Sequence, residues 1–187
     1  MRHNTKPALC IPALCVALLF ALVGGAAAAA DRPIKDFYGE YVGRSLSGHG
    51  GDLEERDINV IVSAEKRGFN VSWSTISARE GGELTRKSYS ISFRRTNREN
   101  IYQSAMRTDV FGNEVPNNPM QGDPYVWARI AGDTLSVYAL IVTDSGSYDM
   151  QVYHRTLTPD GMKLRFSRTV EGEEKKIITG ELKRVVN

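Results

Sequence analysis

The stretch from Pro124 to Val170 decides the fold of this chain. It contains four runs of strand length: Tyr125-Val-Trp-Ala-Arg-Ile130, Thr134-Leu-Ser-Val-Tyr-Ala-Leu-Ile-Val142, Tyr148-Asp-Met-Gln-Val-Tyr-His154 and Met162-Lys-Leu-Arg-Phe-Ser-Arg168. The three segments between them contain the glycine and proline residues of tight reversals: Ala131-Gly-Asp133, Asp144-Ser-Gly-Ser147 and Thr158-Pro-Asp-Gly161. The stretch therefore predicts an antiparallel meander of consecutive hairpins.

Apolar and polar residues alternate along the last two of these runs. The alternating sets are Met150 and Val152 against Asp149 and Gln151, and Met162, Leu164 and Phe166 against Lys163 and Arg165. Successive side chains of a strand point to opposite faces of the sheet. We therefore expect the apolar members of each set to face the core and the polar members to face water.

The rest of the chain after Asp31 continues the same pattern. Strand-like runs recur at intervals of about 10 to 15 residues with turn signals between them, which is typical of an all-β sandwich or barrel. We count about ten strands and one short helical turn near Ile34 to Phe37. The prediction is a single domain over 31–187, an antiparallel up-and-down meander closed into a barrel, because closure removes exposed strand edges.

The N-terminal segment, residues 1–30, has the parts of a secretory signal peptide. Arg2 and Lys6 precede an apolar run from Pro7 to Val23, and five alanines, Ala26 to Ala30, follow. We expect cleavage after Ala30, with Ala28 as the alternative, and a periplasmic or secreted product. An uncleaved membrane anchor is less favoured, because the run is short for a bilayer-spanning helix of about 20 residues.

Cysteine and charge counts exclude several classes of function. Cys10 and Cys15 both lie in the expected leader, so the domain has no thiol for a disulfide, a zinc site or cysteine catalysis. Loss of Arg2 and Lys6 with the leader leaves as many basic residues as the 22 acidic ones. A neutral domain argues against a nucleic-acid partner held by bulk charge, and we expect none.

No motif identifies a chemistry. His49, in a glycine-rich loop, and His154, on a strand, have no second ligand at metal-binding spacing, so we expect neither a metal nor a cofactor. Gly43-Arg-Ser-Leu-Ser47 lacks the final glycine and the following helix of a nucleophile elbow. The sequence therefore favours a binding protein. An enzyme on a small barrel, such as an isomerase or cyclase, is an alternative without a catalytic pair to support it.

The segment Phe37-Tyr-Gly-Glu-Tyr41 resembles the start of lipocalin-like, or calycin, barrels. Those families open with a short helical turn and a Gly-x-Trp whose ring closes the barrel base beneath a basic residue of the last strand. Here Gly39-Glu40-Tyr41 takes that place, with Tyr41 instead of tryptophan, and Lys183 or Arg184 is the candidate basic partner. The resemblance implies that the lumen binds a small apolar molecule.

Aromatic residues on the expected inner face define the candidate ligand site. We predict that the lumen lining includes Trp73, Tyr89, Phe93, Tyr138, Tyr153 and Phe166, with the irregular segment from Arg107 to Asp123 at the barrel mouth. The function predicted is an exported protein that binds a hydrophobic or amphipathic small molecule or lipid. The alternative is an envelope structural or protein-interaction module with a filled barrel. A membrane-spanning barrel is not expected, because the strands lack paired aromatic girdles.

Overall fold

The computed structural model describes residues 30–49, 52–78, 83–108 and 114–186 of the chain. This part contains two short 3-10 helices, Ile34–Phe37 and Pro119–Gln121, and twelve strands. The strands are β1 (Gly39–His49), β2 (Asp52–Glu65), β3 (Gly68–Ala78), β4 (Leu84–Arg95), β5 (Ile101–Ser104), β6 (Arg107–Thr108), β7 (Glu114–Val115), β8 (Tyr125–Ala131), β9 (Thr134–Val142), β10 (Tyr148–Thr158), β11 (Gly161–Val170) and β12 (Glu173–Arg184).

Ten of these strands form a closed antiparallel barrel in the order β1-β12-β11-β10-β9-β8-β5-β4-β3-β2. The last strand pairs with the first over seven residues, from Tyr41 opposite Arg184 to Ser47 opposite Ile178. β6 and β7 pair separately as a two-stranded hairpin. The predicted all-β, up-and-down closed meander is thus confirmed. None of the helices in the described ranges is long and apolar enough to cross a membrane.

The base of the barrel is closed by the first 3-10 helix. Phe37 of this helix is fully buried, and the Tyr41 hydroxyl donates a hydrogen bond of 2.9 Å to its carbonyl oxygen. Of the two candidate basic residues, Arg184 lies over the Tyr41 ring, with its guanidinium carbon 4.8 Å from the ring centroid. Arg184 also donates to the carbonyl oxygens of Asp36 and Tyr38, at 2.8 and 2.6 Å. The Arg184 side chain therefore connects the last strand of the barrel to the 3-10 helix and to the residue that precedes β1.

Gly39 is needed where the chain passes from this helix into β1. Its φ of +146° lies in a region that side chains with a Cβ rarely adopt. A Cβ there would also stand 3.1 Å from Nη1 of Arg184. The absence of a side chain at Gly39 thus allows the guanidinium to reach the helix carbonyls.

The base half of the lumen is filled by aromatic and aliphatic side chains. Phe69 and Phe93 are fully buried and stack with ring centroids 5.1 Å apart. Tyr102 meets Phe69 edge-on at 4.9 Å. Aromatic pairs in these geometries add to the free energy gained from area burial alone. This half of the barrel is a packed hydrophobic core.

The expected orientation of β10 is wrong. Asp149 and Arg155 are buried, while Met150 and Val152 lie on the opposite face of the strand, toward the outside of the barrel. The reason is register: residue Tyr153 pairs with Phe166, so the odd-numbered residues of β10 share the inner face with the apolar residues of β11. The orientation predicted for Met162, Leu164 and Phe166 is confirmed by their burial.

The barrel wall is shorter at β5 than elsewhere, because β5 is a short strand. This four-residue strand pairs with β4 from Phe93 to Arg95. The mouth-side half of β4, from Leu84 to Ser90, has mostly exposed side chains, and Tyr89 is 50% exposed. The short strand therefore leaves the inner surface of β4 accessible near the mouth.

Some sequence predictions concern parts of the chain outside the described residues. Residues 1–29, which hold nearly all of the expected leader, are among them. The long segment between β5 and β8 is described except for 109–113, and the His49 side chain is also outside the description. The signal peptide, its cleavage and any role of His49 stay predictions.

Candidate functional site

A cavity of about 150 Å³ lies in the lumen, on the mouth side of the packed core. Seven strands contribute inward-facing residues to it. The lining residues are Ser45 of β1, Arg56 and Ile58 of β2, Trp73 and Thr75 of β3, Lys87 and Tyr89 of β4, Tyr153 and Arg155 of β10, Leu164 and Phe166 of β11, and Ile178 of β12. The barrel is thus filled in one half and hollow in the other.

Four of the six predicted site residues line this cavity and touch one another. Trp73 stacks on Tyr89 with centroids 5.1 Å apart and meets Tyr153 at 5.2 Å. Tyr153 in turn packs against Phe166 at 4.6 Å. Burial raises the pKa of the Tyr153 phenol, an effect partly offset by the neighbouring Arg155. These four rings form a continuous aromatic wall across β4, β3, β10 and β11.

The other two predicted site residues lie elsewhere. Phe93 is in the filled core, because it is opposite Phe69 near the base. Tyr138 is on the outer face of β9, where its ring stacks on Trp127 at 4.9 Å. Its neighbours Leu135 and Val137 show the parity of the strand: Val137 is buried in the core, so Tyr138 must point outward. Neither residue lines the cavity.

The most unusual side chain in the cavity is Arg155, which the sequence analysis did not single out. It is 1% exposed, and its Nε and Nη1 atoms have no hydrogen-bond partner in the described structure. Its guanidinium carbon lies 5.3 Å from the Trp73 ring centroid and 5.4 Å from that of Tyr153. Burial lowers the pKa of Arg155 to about 10, so the group is charged at neutral pH.

An unpartnered buried guanidinium is costly. Cation–π contacts with two rings compensate part of the lost hydration, but they leave the in-plane N–H groups unsatisfied. Native structures satisfy nearly all buried donors, so each exception calls for an explanation. The alternation of side chains along β10 would have predicted Arg155 in the lumen had the strand been predicted in the orientation that the structure shows.

Two further cations reach the cavity, in different states. Arg56 is held by Glu54 through two hydrogen bonds, at 2.9 and 2.6 Å, and this arginine holds the pKa of the Glu54 carboxyl below its usual value. Lys87 is exposed on the accessible half of β4. The cavity lining contains no carboxylate. The cavity is therefore electrostatically positive.

The buried carboxylate of the inner face lies outside the cavity lining. Asp149 is 5% exposed, and its Oδ2 accepts from Nε of Arg168 at 2.8 Å and lies 2.8 Å from Nη2 of the same arginine. Asp149 and Arg155 are six positions apart along β10, about 20 Å of strand. Asp149 therefore does not neutralise Arg155.

His154 lies on the outer wall and not in the lumen. Its Nδ1 is 2.8 Å from the Ser136 hydroxyl, and Tyr138 meets its ring edge-on. Burial and the nearby charge of Arg165 lower the pKa of His154. Across the described ranges, no group of three or more metal-ligating side chains is found.

The described parts of the segment from Arg107 to Asp123, residues 107–108 and 114–123, lie between β5 and β8 in the chain and follow the mouth end of β5. Its 3-10 helix, Pro119–Gln121, lies against β9 and begins with a cap in which Asn118 accepts from the Met120 amide at 3.0 Å. Nearby, Tyr125 is 55% exposed and packs against Trp127. The position at the mouth end follows from the topology, whereas a gating role stays a prediction.

Comparison with known proteins adds no family to this description. No protein-family model matches the chain, and no curated protein matches its sequence significantly.

Proposed function

We propose that this protein binds a small hydrophobic or amphipathic molecule in the lumen of its barrel. The observation that carries the proposal is the cavity beside the four-ring aromatic wall of Trp73, Tyr89, Tyr153 and Phe166. Ligand sites are typically concave, lined by aromatic residues and equipped with a few polar groups. A barrel used only as a scaffold has no need of a hollow half.

The architecture around the cavity supports the same proposal. The base is sealed by Phe37, Tyr41 and Arg184, so a ligand enters from the mouth side. There the low wall beside β5 exposes Tyr89. The sealed base also agrees with the resemblance to lipocalin-like barrels, which we keep as a proposal. Fold alone does not assign function.

We further propose that the protein acts outside the cytoplasm, in the periplasm or after secretion. Support comes from the basic start, apolar centre and alanine-rich end of residues 1–30. N-terminal sequencing of the protein recovered after osmotic shock tests this. An N-terminus at Asp31 or Ala29 agrees with it, and an intact Met1 or retention in the cytoplasm contradicts it.

The binding proposal is tested by filling the cavity. In native mass spectrometry, the wild-type protein is expected to carry a small molecule that denaturation releases for identification. Ile178→Trp should abolish this additional mass, because Ile178 lines the cavity. Ile177→Trp is the matched control, since the neighbouring residue faces the opposite side of β12. A clean mass for wild type, or equal occupancy in both variants, argues against lumenal binding.

One observation favours the alternative of a protein-interaction module. Tyr125, Trp127 and Tyr138 form an aromatic cluster on the outer wall beside the long mouth segment. Tyr125→Ser should weaken capture of a partner from envelope extracts if this cluster is the contact surface. Unchanged capture would leave lumenal binding as the sole proposal.

A further inference from the structure

We propose that the ligand is a small organic anion of one-ring size, an aromatic carboxylate, whose carboxylate binds the Arg155 guanidinium while its ring packs against the aromatic wall. This inference rests on the proposed function, because it names the ligand class of the same cavity. It is carried by the unpartnered N–H groups of Arg155, by the charge of the lining and by the size and shape of the space.

The hydrogen-bonding argument starts from the orphaned donors. Nε and Nη1 of Arg155 are buried without a partner, and they belong to different edges of the guanidinium plane, because Nε shares its edge with Nη2 and Nη1 lies on the Cδ side. A carboxylate can accept from Nε and Nη2 on one edge or from Nη1 and Nη2 on the other, so either arrangement gives one of the unpartnered donors an acceptor; such bidentate pairs are among the strongest hydrogen-bonded contacts in proteins. A neutral alcohol or amide would supply acceptors but would not neutralise the buried charge.

The electrostatic argument concerns the whole lining. Besides Arg155 it includes Lys87 and the paired Arg56, and it contains no acidic side chain. An anion that enters past Lys87 would move toward Arg155, a second cation that is less hydrated than Lys87. In a site with few waters, opposite charges attract more strongly than at the surface. The lining therefore selects a negative group over a neutral or positive one.

The size of the cavity limits the rest of the ligand. At about 150 Å³ it matches an engineered protein cavity that binds benzene, a cavity of about 150 Å³ as well. A long acyl chain would not fit within this volume, because the fully buried Phe69 and Phe93 block its extension toward the base. Flat rings on β3, β4, β10 and β11 favour a planar partner through stacking. Benzoate is the simplest molecule with these properties.

The experiment is a set of calorimetric titrations at pH 7.4 with benzoate, benzyl alcohol and palmitate. Wild type is expected to bind benzoate more tightly than the other two. Arg155→Met, which keeps side-chain length and removes the charge, should weaken benzoate binding by about 10- to 100-fold, as expected for loss of hydrogen bonds to a charged group. It should leave benzyl alcohol within about threefold. The affinity of Arg155→Lys for benzoate should be intermediate, because lysine retains the charge but lacks the planar, paired N–H donors of the guanidinium.

The outcomes separate this inference from the proposed function. Benzyl alcohol binding as well as benzoate, with no effect of Arg155→Met, overturns the anion and leaves lumenal binding standing. Tighter binding of palmitate overturns the size class. Failure of all three probes together with a clean native mass overturns both proposals. Circular dichroism and thermal melts of each variant establish that a loss of binding is not a loss of the fold.

Discussion

The two halves of the barrel lumen contain the same kinds of residue but differ in what those residues do. In the base half, Phe69 stacks on Phe93 and meets Tyr102 edge-on within the hydrophobic core. In the mouth half, the rings of Trp73 and Tyr153 contact each other beside a cavity, and both lie against the guanidinium of a buried arginine. Aromatic content alone therefore does not distinguish a core from a site.

What distinguishes the halves is the satisfaction of their polar groups. At the base, the Tyr41 hydroxyl and the Arg184 guanidinium donate to backbone carbonyls, so each polar atom has a structural purpose. At the cavity, Arg155 has rings around it and no acceptor. The polar groups at the base have hydrogen-bond acceptors within the chain, whereas an acceptor for Arg155 must come from outside the chain. Four measurements test this contrast.

The largest effect is expected from Phe93→Ala. Removing this fully buried ring leaves a void beside Phe69 and should lower the free energy of unfolding by about 3–5 kcal/mol. Tyr89→Ala is the matched control on the same face of β4; because Tyr89 is 50% exposed, we expect a loss below about 2 kcal/mol. Urea denaturation measures both. Equal losses would contradict the division into a filled and a hollow half.

Arg155→Met should stabilise the ligand-free protein. The substitution removes a buried charge without an acceptor, so the free energy of unfolding is expected to rise by about 1–3 kcal/mol. Arg168→Met is the contrasting arginine: it would leave the buried Asp149 carboxylate unpaired and should destabilise by about 1–2 kcal/mol, a modest value because Arg168 is partly exposed. Denaturant titration of dialysed protein measures both, and a destabilised Arg155→Met would show that Arg155 serves the fold.

Arg184→Met tests the closed base. Loss of two hydrogen bonds to the 3-10 helix and of the contact with the Tyr41 ring should cost about 1–2 kcal/mol, less than for a buried group because Arg184 is exposed. Lys183→Met, the exposed neighbour, should change stability by less than about 0.5 kcal/mol. Thermal melts compare the two. If they are equivalent, the helix is held by Ile34 and Phe37 alone.

The smallest effect concerns pH and the outer wall. Because the folded state lowers the pKa of His154, the unfolded chain takes up the proton first as pH falls below the ordinary value of 6.5. Stability should therefore decrease from about pH 6.5 down to the folded pKa and then stop responding to this group. His154→Gln should flatten that part of the profile. An unchanged slope between pH 7 and 5 would mean that Arg165 and burial do not perturb His154.

Much of the fold could be read from local pattern. The hairpins after Ile130, Val142 and Thr158 follow from turn residues with short reach along the chain, and the closure of the meander follows from the cost of free edges. The pairing of a basic residue with Tyr41 was anticipated, and Arg184 is that residue. Four of the six aromatic residues named for the lumen line the cavity; for Trp73, Tyr89 and Phe166 this follows from period-two alternation, whereas Tyr153 lies on the face of β10 that the alternation assigned to the outside.

The errors on β10 and β9 share one cause. For β10, both faces carry large side chains, so the sequence between Tyr148 and Thr158 does not say which one is inward. The pairing with β11 decides the orientation of β10. Because Tyr153 pairs with Phe166, Arg155 lies in the lumen and Val152 lies outside. Tyr138 was misplaced for the same reason on β9, where apolar residues occupy both faces.

The sequence by itself determined an all-β chain of about ten strands, its order of hairpins and its aromatic inner face, because these depend on propensity, turns and local period. The tertiary structure alone decided where the lumen is full and where it is hollow, since that depends on the register between strands distant in the chain. It also decided that Arg155 is buried beside Trp73 and Tyr153 without an acceptor. Burial of a charge results from packing by several strands, and no single segment of the sequence carries that information.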